Sequence, residues 1–255
     1  MRIIAIVNQK GGSGKTTTAV NLAATLAERR RRVLLMDLDS QASASLWYGV
    51  QDGGQGLLQA LLGEGALADL VQPTGVPGVE LIAASSWLVG AEKALGDRPG
   101  AEVTLRALLA ELPRERWHYV LLDCPPTLGV LTVNALAAAG EVLIPVEAHV
   151  LALAGLAQLW QTVEVVRERL NPGLLVAGIC ACRVDMRTRH AREVLEQLRE
   201  HFGDKVYNVY ISENVRLAEC PSFAQPIIAY DPSCAGSRDY RDLAALVVRQ
   251  EKQRG

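Results

Sequence analysis

The chain has 255 residues, enough for one large domain with a buried core. Apolar residues make up 49% and aromatics only 5%, so Ala, Leu and Val must do most of the packing, as in helices laid over a mostly parallel sheet. A formal net charge of −2 excludes a protein that coats nucleic acid by global charge and confines any such contact to a local patch. Five cysteines without a C-x-x-C pair predict reduced thiols and a cytosolic setting. No apolar run reaches membrane-spanning length, and the first residues read as a strand with no room for a signal peptide.

Ile3 to Val7 predicts a buried strand, and Thr17 to Arg29 predicts the first helix. Between them lies Asn8-Gln9-Lys10-Gly11-Gly12-Ser13-Gly14-Lys15-Thr16-Thr17. A strand, a glycine-rich turn and Lys-Thr at a helix start make a phosphate-cradling P-loop. The glycines let the backbone curl so that successive N–H groups face an anion, and the helix N-terminus adds partial positive charge. Lys15 supplies a point charge for the β- and γ-phosphates, and the Thr16 hydroxyl suits Mg²⁺. Lys10 is an extra charge at the mouth of the loop.

The run Glu28-Arg29-Arg30-Arg31-Arg32 reads as cations at a helix C-terminus, with DNA contact as the alternative. Val33 to Met36 predicts a second strand, ending in Asp37-Leu38-Asp39-Ser40-Gln41. Alternation along the strand direction sets both carboxylates on one side, at the strand end where open α/β sheets do nucleotide chemistry. Residues 49–100 are rich in Gly and Pro. They predict a short helix over Leu57 to Leu62, a strand over Val79 to Ala83 and a helix near Trp87 to Leu95, with no linker and no repeat.

Glu102 to Leu112 predicts a helix and Tyr119 to Asp123 a strand whose terminal Asp123 has the Walker-B arrangement, near Mg²⁺ through water. Cys124 beside Pro125 and Pro126 reads as packing. A helix over Leu128 to Ala138, a strand over Glu141 to Val146 and a long helix over Leu151 to Leu170 follow. In the long helix Leu156, Leu159, Trp160, Val163 and Val166 recur at helical spacing and predict core or dimer contact. Strand Leu175 to Cys182 sets Cys180 and Cys182 on one face, where packing is expected. The segment Arg183 to Arg192 is locally basic and is the best patch for an anionic partner. Strand Val206 to Ile211 and a last helix over Ser237 to Arg249 complete the prediction. Its charged tail, Gln250 to Gly255, lacks an apolar membrane anchor.

Four segments together make the chain resemble the ParA family of partition ATPases, within the deviant-Walker group that includes MinD and the nitrogenase iron protein. They are Lys10 to Thr17, Asp37 to Gln41, Asp123 to Pro126, and Asn214-Val215-Arg216-Leu217-Ala218-Glu219-Cys220-Pro221-Ser222-Phe223. The resemblance covers essentially the whole chain. It implies one three-layer α/β/α P-loop NTPase domain over residues 1–255, with a mostly parallel twisted sheet. It implies Mg²⁺-dependent ATP hydrolysis, slow without a partner. Gly11, Gly12, Ser13, Gly14, Lys15, Thr16 and Thr17 would hold the phosphates, and Ser212 and Asn214 would lie near the adenine. Thr16, Asp37, Asp39 and Asp123 would support the metal, and Asp39 would orient the attacking water. Lys10 would reach the γ-phosphate bound by a second copy, making an ATP sandwich homodimer. Arg187 and Arg216, extended by Arg189 and Arg192, would bind double-stranded DNA without reading sequence. A ParB-type centromere-binding protein would stimulate hydrolysis, and the location implied is cytoplasmic and nucleoid-associated.

The chain departs from the family pattern at several positions. Ser40 replaces a proline, and Ser212-Glu213 replaces a Pro-Arg pair. Glu147 and His149 stand where Gln and Glu are usual, and Gln225 where a lysine is common. Arg30 stands at a helix-ending glycine position, where a left-handed arginine costs about 1 kcal/mol. A chain that opens on its first strand is expected to lack the helix-turn-helix extension of longer relatives. The alternatives are a MinD-like ATPase on a membrane, a ParA-like positioner of protein cargo, and an iron–sulfur carrier. The last would need cysteines paired across a dimer, and only Cys124 adjoins a motif.

Overall fold

The computed structural model describes residues 1–96, 98–149 and 152–251. The expected first residue of the long helix, Leu151, and tail residues 252–255 lie outside that range. Seven strands form one sheet in the order β3-β4-β2-β5-β1-β6-β7. They are β1 (Arg2–Ile6), β2 (Val33–Asp37), β3 (Gln72–Pro73), β4 (Val79–Ile82), β5 (Tyr119–Asp123), β6 (Glu141–Glu147) and β7 (Leu175–Cys182). All neighbours run parallel except the two-residue edge strand β3. Parallel strands need crossovers, and the chain supplies helices for them.

The helices are α1 (Lys15–Glu28), α2 (Ser43–Trp47), α3 (Gly56–Leu61), α4 (Ala91–Gly96), α5 (Thr104–Ala110) and α6 (Val130–Ala138). After them come α7 (Ala152–Arg169), α8 (Arg189–Phe202), α9 (Val215–Glu219), α10 (Ile227–Tyr230) and α11 (Ala235–Glu251). Alternation along the strands sends side chains to two separate cores. Val120 and Leu122 of β5 face one core with Leu57, Leu105, Leu136, Leu159 and Val194, which belong to α3, α5, α6, α7 and α8. Tyr119 and Leu121 face the other, with Leu22, Trp47, Leu217, Ile227 and Leu243 of α1, α2, α9, α10 and α11. The sheet is thus covered on both faces, which accounts for its near-continuous apolar strands. On α7, Leu156, Leu159, Val163 and Val166 are buried in the first core and Trp160 packs against it, so the helical repeat is core. Cys180 and Cys182 both face the second core, as the period of two requires.

One expected strand is not there. Val206 to Ile211 runs beside β7 and makes only isolated bridges, Ile179 with Val206 and Val184 with Ser212. The Tyr207 N–H donates to Ile179 O at 2.9 Å and the Ile211 N–H to Ala181 O at 2.8 Å. Four residues therefore advance on one side for two on the other, which breaks the ladder. The Tyr207 ring lies where a Cβ on Gly178 would stand, 2.0 Å from it, so the close approach depends on that glycine.

Arg30 is left-handed, φ 60°, just past the end of α1. The arginine run does structural work at the sheet edge opposite the P-loop. Arg31 pairs with Glu251 at 2.8 Å, and Arg32 donates to the carbonyls of Arg116 and Glu115 at 2.5 and 2.7 Å. Among the described residues no helix is long and apolar enough to cross a membrane.

Candidate nucleotide site

The carboxyl ends of β1, β2, β5, β6 and β7 meet at one edge of the sheet, and the P-loop leaves β1 there. Gly12 and Gly14 hold φ of 75° and 90°, the left-handed region that side chains avoid, and Gly14 caps α1. Asn8 anchors the turn. Its Nδ2 donates to Pro145 O at 2.6 Å, and its Oδ1 accepts from the Lys10 N–H at 3.0 Å. The Lys15 amine donates to Lys10 O at 3.2 Å across the loop. Burial lowers the Lys15 pKa, and Asp123 and Asp39 oppose that.

The loop opens on a cavity of about 570 Å³, within the range of small-ligand sites. Gly11, Gly12, Gly14, Lys15, Thr16, Thr17 and Asp39 line one end. Ile211, Ser212, Asn214, Leu217 and Tyr240 line the other, with Cys182 and Arg183 on the wall. The structure therefore brings Ser212 and Asn214 to the same cleft as the loop. Asn214 also caps α9, its side chain accepting from the Arg216 N–H at 2.8 Å, and the Ser212 N–H donates to Asp239 at 2.8 Å. Ser13 belongs to the loop but is buried, and among the described residues its hydroxyl has no partner.

Asp37 and Asp123 are register partners on β2 and β5, and both are fully buried under the cleft. Ser45 fixes the first: its N–H and hydroxyl donate to Asp37 Oδ2 at 2.9 and 2.8 Å, and the Asp39 N–H donates to Oδ1 at 3.1 Å. Asp123 differs: among the described residues neither of its oxygens has a hydrogen-bond partner. Burial first, and then the charge of Asp37, push its pKa well up; Thr16 and Lys15 pull the other way. Burial likewise raises Asp37, against its hydrogen bonds from Ser45. An orphaned carboxylate with a second one beside it and Thr16 close by is a donor set that fits a hard divalent cation. Cys124 is buried, and burial holds its thiol well above the usual range, so it packs.

Lys10 does not line the cleft. Its amine turns to Glu147 at the end of β6, 2.7 Å away. The four arginines lie outside the cleft as well. Arg187 and Arg192 border two adjoining grooves that share Met186, and the first of these also contains Glu213 and Val215, directly before Arg216. Each guanidinium is engaged locally: Arg187 with Asp185, Arg189 with Glu193, Arg216 with Glu219, and Arg192 with Thr188 O.

Comparisons agree with this geometry. A family model described as an AAA domain matches residues 1–176. The chain is 47% identical to a chromosome-partitioning ATPase Soj of Thermus thermophilus, covering 99% of this chain and 98% of the relative. It is 44% identical to a chromosome partitioning protein ParA of Caulobacter vibrioides, covering 100% and 96%. The chain belongs to the ParA/Soj family. A crystal structure of a cobyrinic acid a,c-diamide synthase from Mycobacterium smegmatis, with ADP and magnesium bound, superposes with TM-score 0.87 at 33% identity, covering 99% and 96%. Its name differs, but the ParA and Soj relatives stand higher in identity over the same length.

The sequence reading missed the ParA/Soj cleft's walls. Cys182, Arg183 and Tyr240 reach it from distant parts of the chain. The signal for the first two was their place at the carboxyl end of a parallel strand; Tyr240, inside the last helix, had none.

Proposed function

We propose that this chain is a partition ATPase that hydrolyses Mg·ATP to ADP and phosphate, dimerises with ATP bound and uses the dimer to hold DNA. The observation that carries the reading is the cleft, where a P-loop faces Asp39 above a buried carboxylate pair whose Asp123 oxygens have no hydrogen-bond partner among the described residues. The loop amides and Lys15 bind the phosphates. Thr16, Asp37, Asp39 and Asp123 would hold Mg²⁺, partly through water, and when bound the ion neutralises charge on the phosphates. Asp39, exposed to the cleft at the end of a fixed turn, orients the attacking water toward the γ-phosphate. Ser212 and Asn214 border the base.

Lys10 serves a second copy of the chain. Lys10 does not line its own cleft and its side chain is 43% exposed, which supports a role in trans. There it would meet charge on the transferring phosphoryl group as an arginine finger does. Two copies bring Arg187, Arg189, Arg192 and Arg216 together twice over, so DNA phosphates are held strongly only in the ATP state. A ParB-type partner on DNA then triggers hydrolysis and release, and the chain works in the cytoplasm on the nucleoid.

The test is ATP turnover with and without DNA and partner. Wild-type chain should hydrolyse slowly alone and faster with both, and Asp39→Ala should stay on DNA in ATP without turning over. Fast turnover by Asp39→Ala would contradict the assignment.

A further inference from the structure

The amine expected to act on a second copy is not free in the single chain. Lys10 Nζ sits 2.7 Å from Glu147 Oε2, and the other carboxylate oxygen lies 3.4 Å from Arg183 Nη1. Both ends of the pair hang from one strand. Asn8 ties the Lys10 backbone to β6 through Pro145 O, and Glu147 ends that same strand in register with Cys182. The next residue, Ala148, donates its N–H to Cys182 O at 3.2 Å. The backbones of both partners are thus held near one another, so forming the pair does not require a loop to be ordered. Lys10 in turn holds the Glu147 carboxyl below the usual range, mainly by its hydrogen bond.

We propose that Glu147 is a positioning residue for Lys10: it latches the amine in cis in the free chain and must release it before a second copy can dock on ATP. The proposal rests on the reading of Lys10 as the residue that acts in trans. Arg183 makes release practicable. It lines the cleft wall, φ 54°, and keeps a cation on Glu147 when Lys10 leaves, so no bare carboxylate faces the incoming phosphates. The latch thus sets how readily ATP-bound chains pair, and it is paid twice, because a symmetric dimer opens one latch in each copy.

The substitution that removes only the charge is Glu147→Gln. An exposed pair of this kind is worth about threefold to fivefold per copy, so the dimer dissociation constant in a saturating non-hydrolysable ATP analogue should fall about tenfold to twenty-five-fold. Sedimentation equilibrium reads that constant, and saturating analogue removes any change in nucleotide affinity. The gap between variant and wild type should narrow with added salt, because the pair is screened.

A second readout needs no dimer. In the nucleotide-free chain, acylation of Lys10 by an acetylating reagent, scored by mass spectrometry against Lys93, should be faster in Glu147→Gln. Faster labelling together with tighter dimers supports the latch. Unchanged labelling overturns it while leaving the trans role of Lys10 intact. Faster labelling with dimers no tighter than wild type overturns the control of pairing. Faster labelling when neither chain dimerises with the analogue overturns the proposal through the dimer reading beneath it.

Discussion

The nucleotide cleft and the arginine surface are built in opposite ways. Under the loop Lys15, Asp37 and Asp123 are buried, Asp37 takes three hydrogen bonds, and Gly12 and Gly14 hold the loop in backbone conformations that only glycine adopts cheaply. On the arginine surface the side chains are exposed, 90% for Arg187 and 88% for Arg189, and Arg187, Arg189 and Arg216 each pair with a carboxylate one turn or less away. Such pairs are weak and screened, so a DNA phosphate can take the guanidinium at little cost. The cleft is preorganised for one ligand, whereas the proposed DNA surface would become a binding site by number and by dimerisation.

Substitutions can break that contrast, starting with the largest effect. Asp39→Ala should lower kcat by about 10²–10⁴ with ATP affinity kept, since it removes the group that orients water and leaves the loop whole; phosphate release and nucleotide titration check it. Lys15→Ala should weaken ATP binding by at least about a hundredfold, the loss of a charge-assisted contact in a partly buried site. Fluorescent-nucleotide titration measures this, and retained affinity would remove Lys15 from the phosphate site. Arg216→Glu should leave ATP binding unchanged and weaken DNA binding about tenfold at low salt, with a shallower salt slope. A salt series of DNA titrations reads both, and an unchanged slope would move the DNA surface elsewhere.

How legible each region was follows from the same contrast. The P-loop, Asp37 to Asp39 and the strand Tyr119 to Asp123 were readable because local sequence dictates them: glycines for positive φ, apolar strands with a carboxylate at the end. Arg30 was readable as a left-handed residue only through the family resemblance, which sets a helix-ending glycine at that position. The strand expected over Val206 to Ile211 was not realised, since its register depends on Tyr207 stacking over Gly178, 29 residues earlier in the chain. Ser45, which holds Asp37, and Tyr240 in the cleft wall were invisible because each acts through a tertiary contact. The Lys10–Glu147 pair joins residues 137 apart, and only the parallel pairing of β1 with β6 sets them side by side.

Two smaller effects sharpen the contrast from the stability side. Ser45→Ala removes one hydrogen bond to Asp37 and the acceptor of the Ala84 N–H at 2.9 Å, so it should cost about 1–3 kcal/mol in urea unfolding. Arg30→Gly relieves a left-handed side chain and should raise Tm by about 2–4 °C by calorimetry, with ATP and DNA binding untouched.

Under the proposed function ATP, through pairing of two copies, would turn a weak arginine surface into a DNA-binding one. DNA affinity measured with ATP, with ADP and without nucleotide, each at two salt concentrations, tests it directly. Tight binding is expected only with ATP, with a salt slope steeper there than in the other two states. Equal affinity and equal slope in all three states would contradict it.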